Sequence, residues 1–107
     1  MNLALAENYL LAECKEDFVG LWGLVKDIRE AEDVEPSAVR ETTLGLLCRL
    51  LSQDKIVAGE FDEVKPNEYV FRRWEMTPNE IVIRIGNEWS KLGRDPGLGE
   101  IVWFTAR

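Results

Sequence analysis

The sequence predicts an α+β fold, a helix-rich small single domain over residues 1–107 with a short antiparallel sheet. Helical periodicity, with apolar residues three and four apart, covers residues 3–31, 37–52 and 78–92. Short runs rich in β-branched and aromatic residues lie between turn residues at 56–61, 69–74 and 101–105. A length of 107 residues fits one domain with a single core.

The first helical region, residues 3–31, is compatible with one long helix or with two short ones. Glu16 and Asp17 can begin a second helix, since acidic side chains favour a first turn. Gly20 and Gly23 each cost about 1 kcal/mol in a helix interior relative to Ala, so they indicate a bend or a close approach of another element. The apolar spacing places Trp22 in the core.

The second helix, residues 37–52, carries a wide apolar face that is typical of a central helix. Pro36 suits its first turn, because the missing N–H is not needed there. Residues 30–35 lack apolar periodicity and are predicted to form a loop.

The third helix, residues 78–92, has the clearest start. Thr77 can cap it, Pro78 occupies the first helical position, and Glu80 completes a capping box. Gly93 is a natural C-terminal stop. The apolar face predicts a core position for Trp89, and residues 94–99 read as a turn.

The sheet is predicted from a strand at 56–61, a turn at 62–68, a second strand at 69–74 and a last strand at 101–105. The last run is continuously apolar, so it is buried on both faces or exposes one face as a contact surface. It could pair with a second copy, so a homodimer is possible and the oligomeric state stays open. Core positions are favoured for Trp74 and Trp103, with a contact surface as the alternative.

The composition excludes several kinds of site. Histidine is absent, which removes the commonest general base and metal ligand. Cys14 and Cys48 lie among apolar neighbours and are predicted to be reduced core residues. We therefore expect no catalytic residues, no metal and no cofactor. No apolar run approaches the length of a membrane span, and the N-terminus has no basic region of a signal peptide, so we expect a cytoplasmic protein that does not enter a membrane.

The charge is the strongest functional signal. The net charge is −7, and residues 1–53 contribute −5 of it, from 5 basic and 10 acidic side chains. Such a field repels nucleic acid and attracts a basic protein. The predicted partner-binding residues are a carboxylate cluster, a second acidic group and one aromatic residue: Asp27, Glu30, Glu32, Asp33 and Glu35, then Glu60, Asp62 and Glu63, then Trp74. These residues predict a non-enzymatic protein-interaction domain, in one version an immunity- or antitoxin-type inhibitor of a basic partner.

A second hypothesis comes from the segment Val39–Phe61, an apolar helix followed by a strand, which resembles pieces of winged-helix domains. The resemblance covers about a fifth of the chain and implies a DNA-binding transcriptional regulator. Its phosphate contacts would come from four arginines: Arg72, Arg73, Arg84 and Arg94. The order of predicted elements departs from that family, which has a helix pair followed by a hairpin, and the exposed face of the helix at 78–92 has balanced charge.

Overall fold

The computed structural model describes residues 1–107 and confirms the α+β class with an antiparallel sheet. The helices are α1 (Leu3–Glu16), α2 (Leu21–Arg29), α3 (Val39–Ser52) and α4 (Pro78–Leu92), and a short 3-10 helix at Pro36–Ala38 leads into α3. The strands are β1 (Val19–Gly20), β2 (Ile56–Lys65), β3 (Glu68–Arg73) and β4 (Trp103–Ala106), in the sheet order β1-β4-β2-β3. No helix combines the length and the apolar character needed to cross a bilayer.

The first helical region forms two helices, α1 and α2, separated by the two-residue strand β1. Asp17 ends α1 in an extended conformation instead of starting a new helix. Gly20 lies at the cap position before α2. The break brings Val19 and Gly20 beside Phe104 and Trp103 of β4, so α2 begins at the edge of the sheet.

The helix pair α2 and α3 is followed directly by the β2–β3 hairpin, so residues 21–73 do contain the helix-pair-then-hairpin order that the sequence analysis missed. Residues 30–38 between the two helices are longer than the three to four residues of a helix-turn-helix connection. Helix α4 and strand β4 are additions to that order, and β4 is inserted between β1 and β2.

The hairpin strands are longer than predicted. Strand β2 continues to Lys65, so the predicted turn at 62–68 shrinks to Pro66 and Asn67. Asn67 has φ 64°, a left-handed conformation that Asn tolerates at the second turn position after Pro. Strand β4 begins two residues later than predicted, because Ile101 has φ 73° and cannot continue a strand.

The start of α4 forms as predicted. The Thr77 hydroxyl accepts the Glu80 N–H at 3.2 Å, and the Glu80 carboxylate accepts the Thr77 N–H at 3.2 Å. Gly93 ends the helix with φ 66°. This capping satisfies backbone donors that the helix itself cannot pair.

One cluster of 21 buried apolar residues joins the helices to the inner face of the sheet. Phe104 and Ala58 lie on that face, and both are fully buried. Trp89 and Trp74 are 5% and 2% exposed, as expected for core residues. Trp22 is 37% exposed, so its predicted core position is wrong.

Candidate protein-interaction surface

The outer face of the sheet carries an aromatic row that crosses three strands. Phe71 and Phe61 are cross-strand partners, and their ring centroids are 5.5 Å apart. The Phe61 ring is 5.6 Å from Trp103, which pairs with Gly59 and Gly20.

Phe18, which directly precedes β1, completes the cluster. Its ring lies 4.8 Å from both Phe61 and Phe71. Edge-to-face ring pairs at these distances hold one another in place. The aromatic side chains of this face therefore pack against one another within the chain itself.

Two glycines leave room for aromatic side chains close to the backbone of the sheet. A Cβ atom at Gly59 would lie 2.7 Å from the Phe71 ring and 2.4 Å from the carbonyl oxygen of Arg72. A Cβ atom at Gly20 would lie 2.8 Å from the indole of Trp22. Any larger residue at either position would displace the aromatic side chains or the backbone itself.

A cleft of about 410 Å³ opens beside this aromatic row, between the end of α1, helix α2 and the loop before β4. We call it the aromatic cleft. Phe18, Trp22 and Trp103 form its aromatic walls, and Leu98 lies at its mouth with 75% of its surface exposed. The remaining lining residues are mostly apolar, with three charged side chains: Leu10, Val19, Gly20, Gly23 and Leu24, and then Glu13, Lys26 and Asp27.

Ion pairs position the loop that carries Leu98. Arg94 donates two hydrogen bonds to Glu100, at 2.7 and 3.0 Å, and the Gly97 N–H also donates to Glu100. These bonds lower the pKa of Glu100 to about 2. Arg29 of α2 holds Asp95 with two bonds of 2.6 and 2.9 Å, so the loop is tied to the helix that forms the opposite wall.

The acidic residues of the segment 27–35 begin at the aromatic cleft with Asp27 and continue past the end of α2. We call them the acidic loop. Asp27 lines the cleft itself, and burial, with the nearby charge of Glu30, raises its pKa against the opposing effect of Lys26. Glu30, Glu32 and Glu35 are exposed. Their side chains bind no other group of the chain, so these three carboxylates are available to a partner.

Asp33 has a structural role within the acidic loop. Its carboxylate accepts the Leu3 N–H at 2.8 Å, at the start of α1. The Glu32 N–H donates to the Met1 carbonyl at 2.9 Å. The acidic loop is therefore anchored to the beginning of α1.

The second acidic group does not join the first. Glu60 and Asp62 both bind Arg72, at 2.7 and 2.6 Å, and Arg72 belongs to edge strand β3. Helix α2, which leads into the acidic loop, begins at β1, the opposite edge of the sheet. Glu63 is exposed and accepts only the Asn67 N–H, at 3.3 Å.

Trp74 is buried, so it does not belong to the predicted partner surface. Its indole N–H donates to Glu60 at 3.2 Å, and the Arg84 guanidinium lies 3.9 Å above its ring. Both the indole N–H and the ring face of Trp74 are therefore in contact with residues of the chain itself.

Phe18, Trp22 and Leu98 were not predicted from the sequence as surface residues of a site. Phe18 and Trp22 follow a helical period, which concealed the chain break between them. The sequence does indicate part of the aromatic row. Side chains alternate between the two faces along each strand, which places Phe61 and Phe71 on the same face.

No group of three or more Cys, Asp or Glu side chains is arranged to hold a metal ion. Cys14 and Cys48 are free thiols. Comparison with protein-family models, with curated proteins and with solved structures finds no match for this chain.

Proposed function

We propose that this protein is a non-enzymatic interaction domain that binds a basic protein partner through the aromatic cleft and the acidic loop together. The observation that carries the proposal is that the aromatic cleft and the acidic loop are continuous along the chain. Helix α2 supplies Trp22 and Asp27 to the cleft and then runs directly into the exposed carboxylates of residues 30–35.

The aromatic cleft supplies the kind of residue that dominates binding energy in protein interfaces. Tryptophan is enriched among such residues, which lie in central pockets that exclude water. Trp22 is partly exposed and Leu98 is largely exposed, so each can bury a large apolar area against a partner. Aromatic ring faces also attract Lys and Arg side chains. Glu13 and Asp27 at the cleft are acidic, so their charge is complementary to that of a basic partner.

The acidic loop supplies long-range attraction. Glu30, Glu32 and Glu35 are unpaired, whereas the carboxylates of Glu60 and Asp62 both form ion pairs with Arg72. In a chain of net charge −7, a local excess of free carboxylates steers a basic partner toward one face and raises its association rate. An immunity- or antitoxin-type inhibitor of a basic toxin is one concrete form of this proposal.

The charge pattern favours this function over DNA binding. Helix α3 is the helix that would enter a groove, but its exposed Arg49 is paired with Glu7 and its Arg40 with Glu41. Three of the four arginines considered for phosphate contacts are likewise held by carboxylates within the chain: Arg72, Arg84 and Arg94. A protein that docks on phosphates needs basic side chains free to contact them.

The test is affinity capture from a lysate of the source organism, with the tagged wild-type protein beside the double variant Trp22→Ala, Leu98→Ala. We expect the wild type to retain a basic protein at moderate salt. Truncation of an interface tryptophan costs at least about 2 kcal/mol where it is a central contact, roughly a 30-fold loss of affinity. The double variant should therefore lose that protein. Retention of the same proteins by both forms, or of none by the wild type, would refute the proposal.

A further inference from the structure

Strand β3 leaves one side of the sheet unpaired. The apolar run 101–105 was predicted as a segment that could pair with a second copy, but β4 lies between β1 and β2 in the sheet. Strand β3 pairs only with β2. Its middle residues, Tyr69 and Val70, are 59% and 54% exposed, which is unusual for large apolar side chains in a strand.

The backbone of β3 presents hydrogen-bonding groups outward at known positions. The Trp74 N–H donates to the Ala58 carbonyl of β2 at 2.9 Å. Backbone groups alternate in direction along a strand, so Arg72 and Val70 also face β2, and Tyr69 and Phe71 direct their N–H and C=O groups away from it.

Strand β3 of a second copy can form hydrogen bonds with these outward backbone groups. One register of that pairing also places compatible side chains opposite each other. A two-fold axis perpendicular to the sheet pairs β3 with itself in antiparallel fashion and keeps each residue on its own face. With Val70 on the axis, Tyr69 pairs with Phe71 of the second copy through outward backbone groups, and Glu68 lies opposite Arg72 of that copy. With Phe71 on the axis instead, Val70 faces an arginine and no pair of unlike charges forms.

We propose that this chain forms a homodimer by antiparallel pairing of β3 around Val70, which joins two four-stranded sheets into one of eight strands. The aromatic row of the outer face then continues from Phe61 and Phe71 to Tyr69 of the second copy. Aromatic pairs directly opposite each other stabilise antiparallel strands, and Glu68 would add a carboxylate of the second copy to the two that Arg72 already holds. The dimer uses the edge of the sheet remote from β1, and it does not depend on the proposed partner.

A cysteine at the axis tests the register. Val70 and its copy would form a non-hydrogen-bonded pair, with Cα atoms about 4.5 Å apart, which lies within the range of a disulfide. We expect Val70→Cys to give a disulfide-linked dimer under mild oxidation. Ile83→Cys, equally exposed on α4, and the wild type with its two native thiols should stay monomeric on the same non-reducing gel.

Sedimentation equilibrium tests the dimer without covalent linkage. The wild type should dimerise reversibly, and Val70→Lys should weaken the dimer by about fivefold, because it places like charges face to face at the axis. Ile83→Lys should dimerise like the wild type. A wild type that is monomeric up to millimolar concentration, a Val70→Lys variant that dimerises as the wild type does, or equal cross-linking at positions 70 and 83 would each overturn the proposal.

Discussion

The addition of one methyl group at two different glycines should change stability in opposite directions. At Gly59 the new Cβ would lie 2.4 Å from a backbone oxygen, and the strand cannot yield there without disturbing its pairing with β3. Overpacking of this kind costs about 1–3 kcal/mol. At Gly45, within α3, nothing lies within 4 Å of the new Cβ, and replacing Gly by Ala in a helix interior gains about 0.5–1 kcal/mol.

Urea unfolding measures both variants against the wild type. The two free energies of unfolding should differ by about 1.5–4 kcal/mol, with Gly59→Ala below the wild type and Gly45→Ala above it. At slopes of about 1–3 kcal/mol per molar urea, this separates the midpoints clearly. If Gly59→Ala were as stable as the wild type, the close approach of the Phe71 ring and the Arg72 carbonyl oxygen to Gly59 would be refuted.

Three further outcomes follow from burial and from pKa shifts. Trp89→Ala should lower the free energy of unfolding by about 3–5 kcal/mol in denaturant titrations, and Trp22→Ala by less than half of that, because Trp22 is half-exposed; equal losses would contradict the assignment of Trp22 to the surface. The pKa of Glu100 falls from 4.5 to about 2 on folding, so its contribution to stability is present above pH 4.5 and is lost as the pH falls toward 2. Glu100→Gln should therefore be less stable than the wild type near neutral pH, with a gap that narrows between pH 4.5 and 2, and a constant gap would refute the role of its charge. Burial raises the pKa of the Cys14 thiol to about 12, so iodoacetamide should label Cys48 first in the folded protein, as read by mass spectrometry of the digest, and preferential labelling of Cys14 would contradict its buried position.

The features that sequence reasoning predicted correctly are those set by local chemistry. The cap at Thr77 depends on hydrogen bonds between residues three apart, and the stop at Gly93 depends on one backbone conformation. Both are decided within a single helical turn. The core position of Trp89 follows equally from the spacing of its own helix.

The features that it missed depend on contacts between distant parts of the chain. Strand β1 has two residues, too few to show any period, and it exists because Phe104 and Trp103 pair with it. Trp22 shares the apolar spacing of α2, but the side chain leans over Gly20 toward the cleft and not into the core.

Among the acidic residues too, exposure could be predicted from the local sequence, whereas contacts with distant residues could not. The exposed carboxylates at Glu30, Glu32 and Glu35 could be predicted, because a loop without apolar periodicity lies at the surface. That Glu60 and Asp62 share one arginine, and that Asp33 binds the start of α1, depends on pairings no local pattern specifies. Three of the eight predicted carboxylates are therefore bound within the chain.

The central claim is that the position of the free carboxylates, and not the total charge, selects the partner. Two triple charge reversals give the most direct measurement. Glu30→Lys, Glu32→Lys, Glu35→Lys reverses the acidic loop, and a control reverses three exposed carboxylates elsewhere: Glu41→Lys, Glu63→Lys, Glu75→Lys.

Both triple variants carry the same net charge, so capture of the basic partner from lysate should depend only on where the charges lie. We predict that the acidic-loop variant loses the partner and that the control retains it. Binding should weaken at high salt in the control, as it does in the wild type. Equal retention by both variants, or equal loss, would contradict the claim that this surface is the binding site.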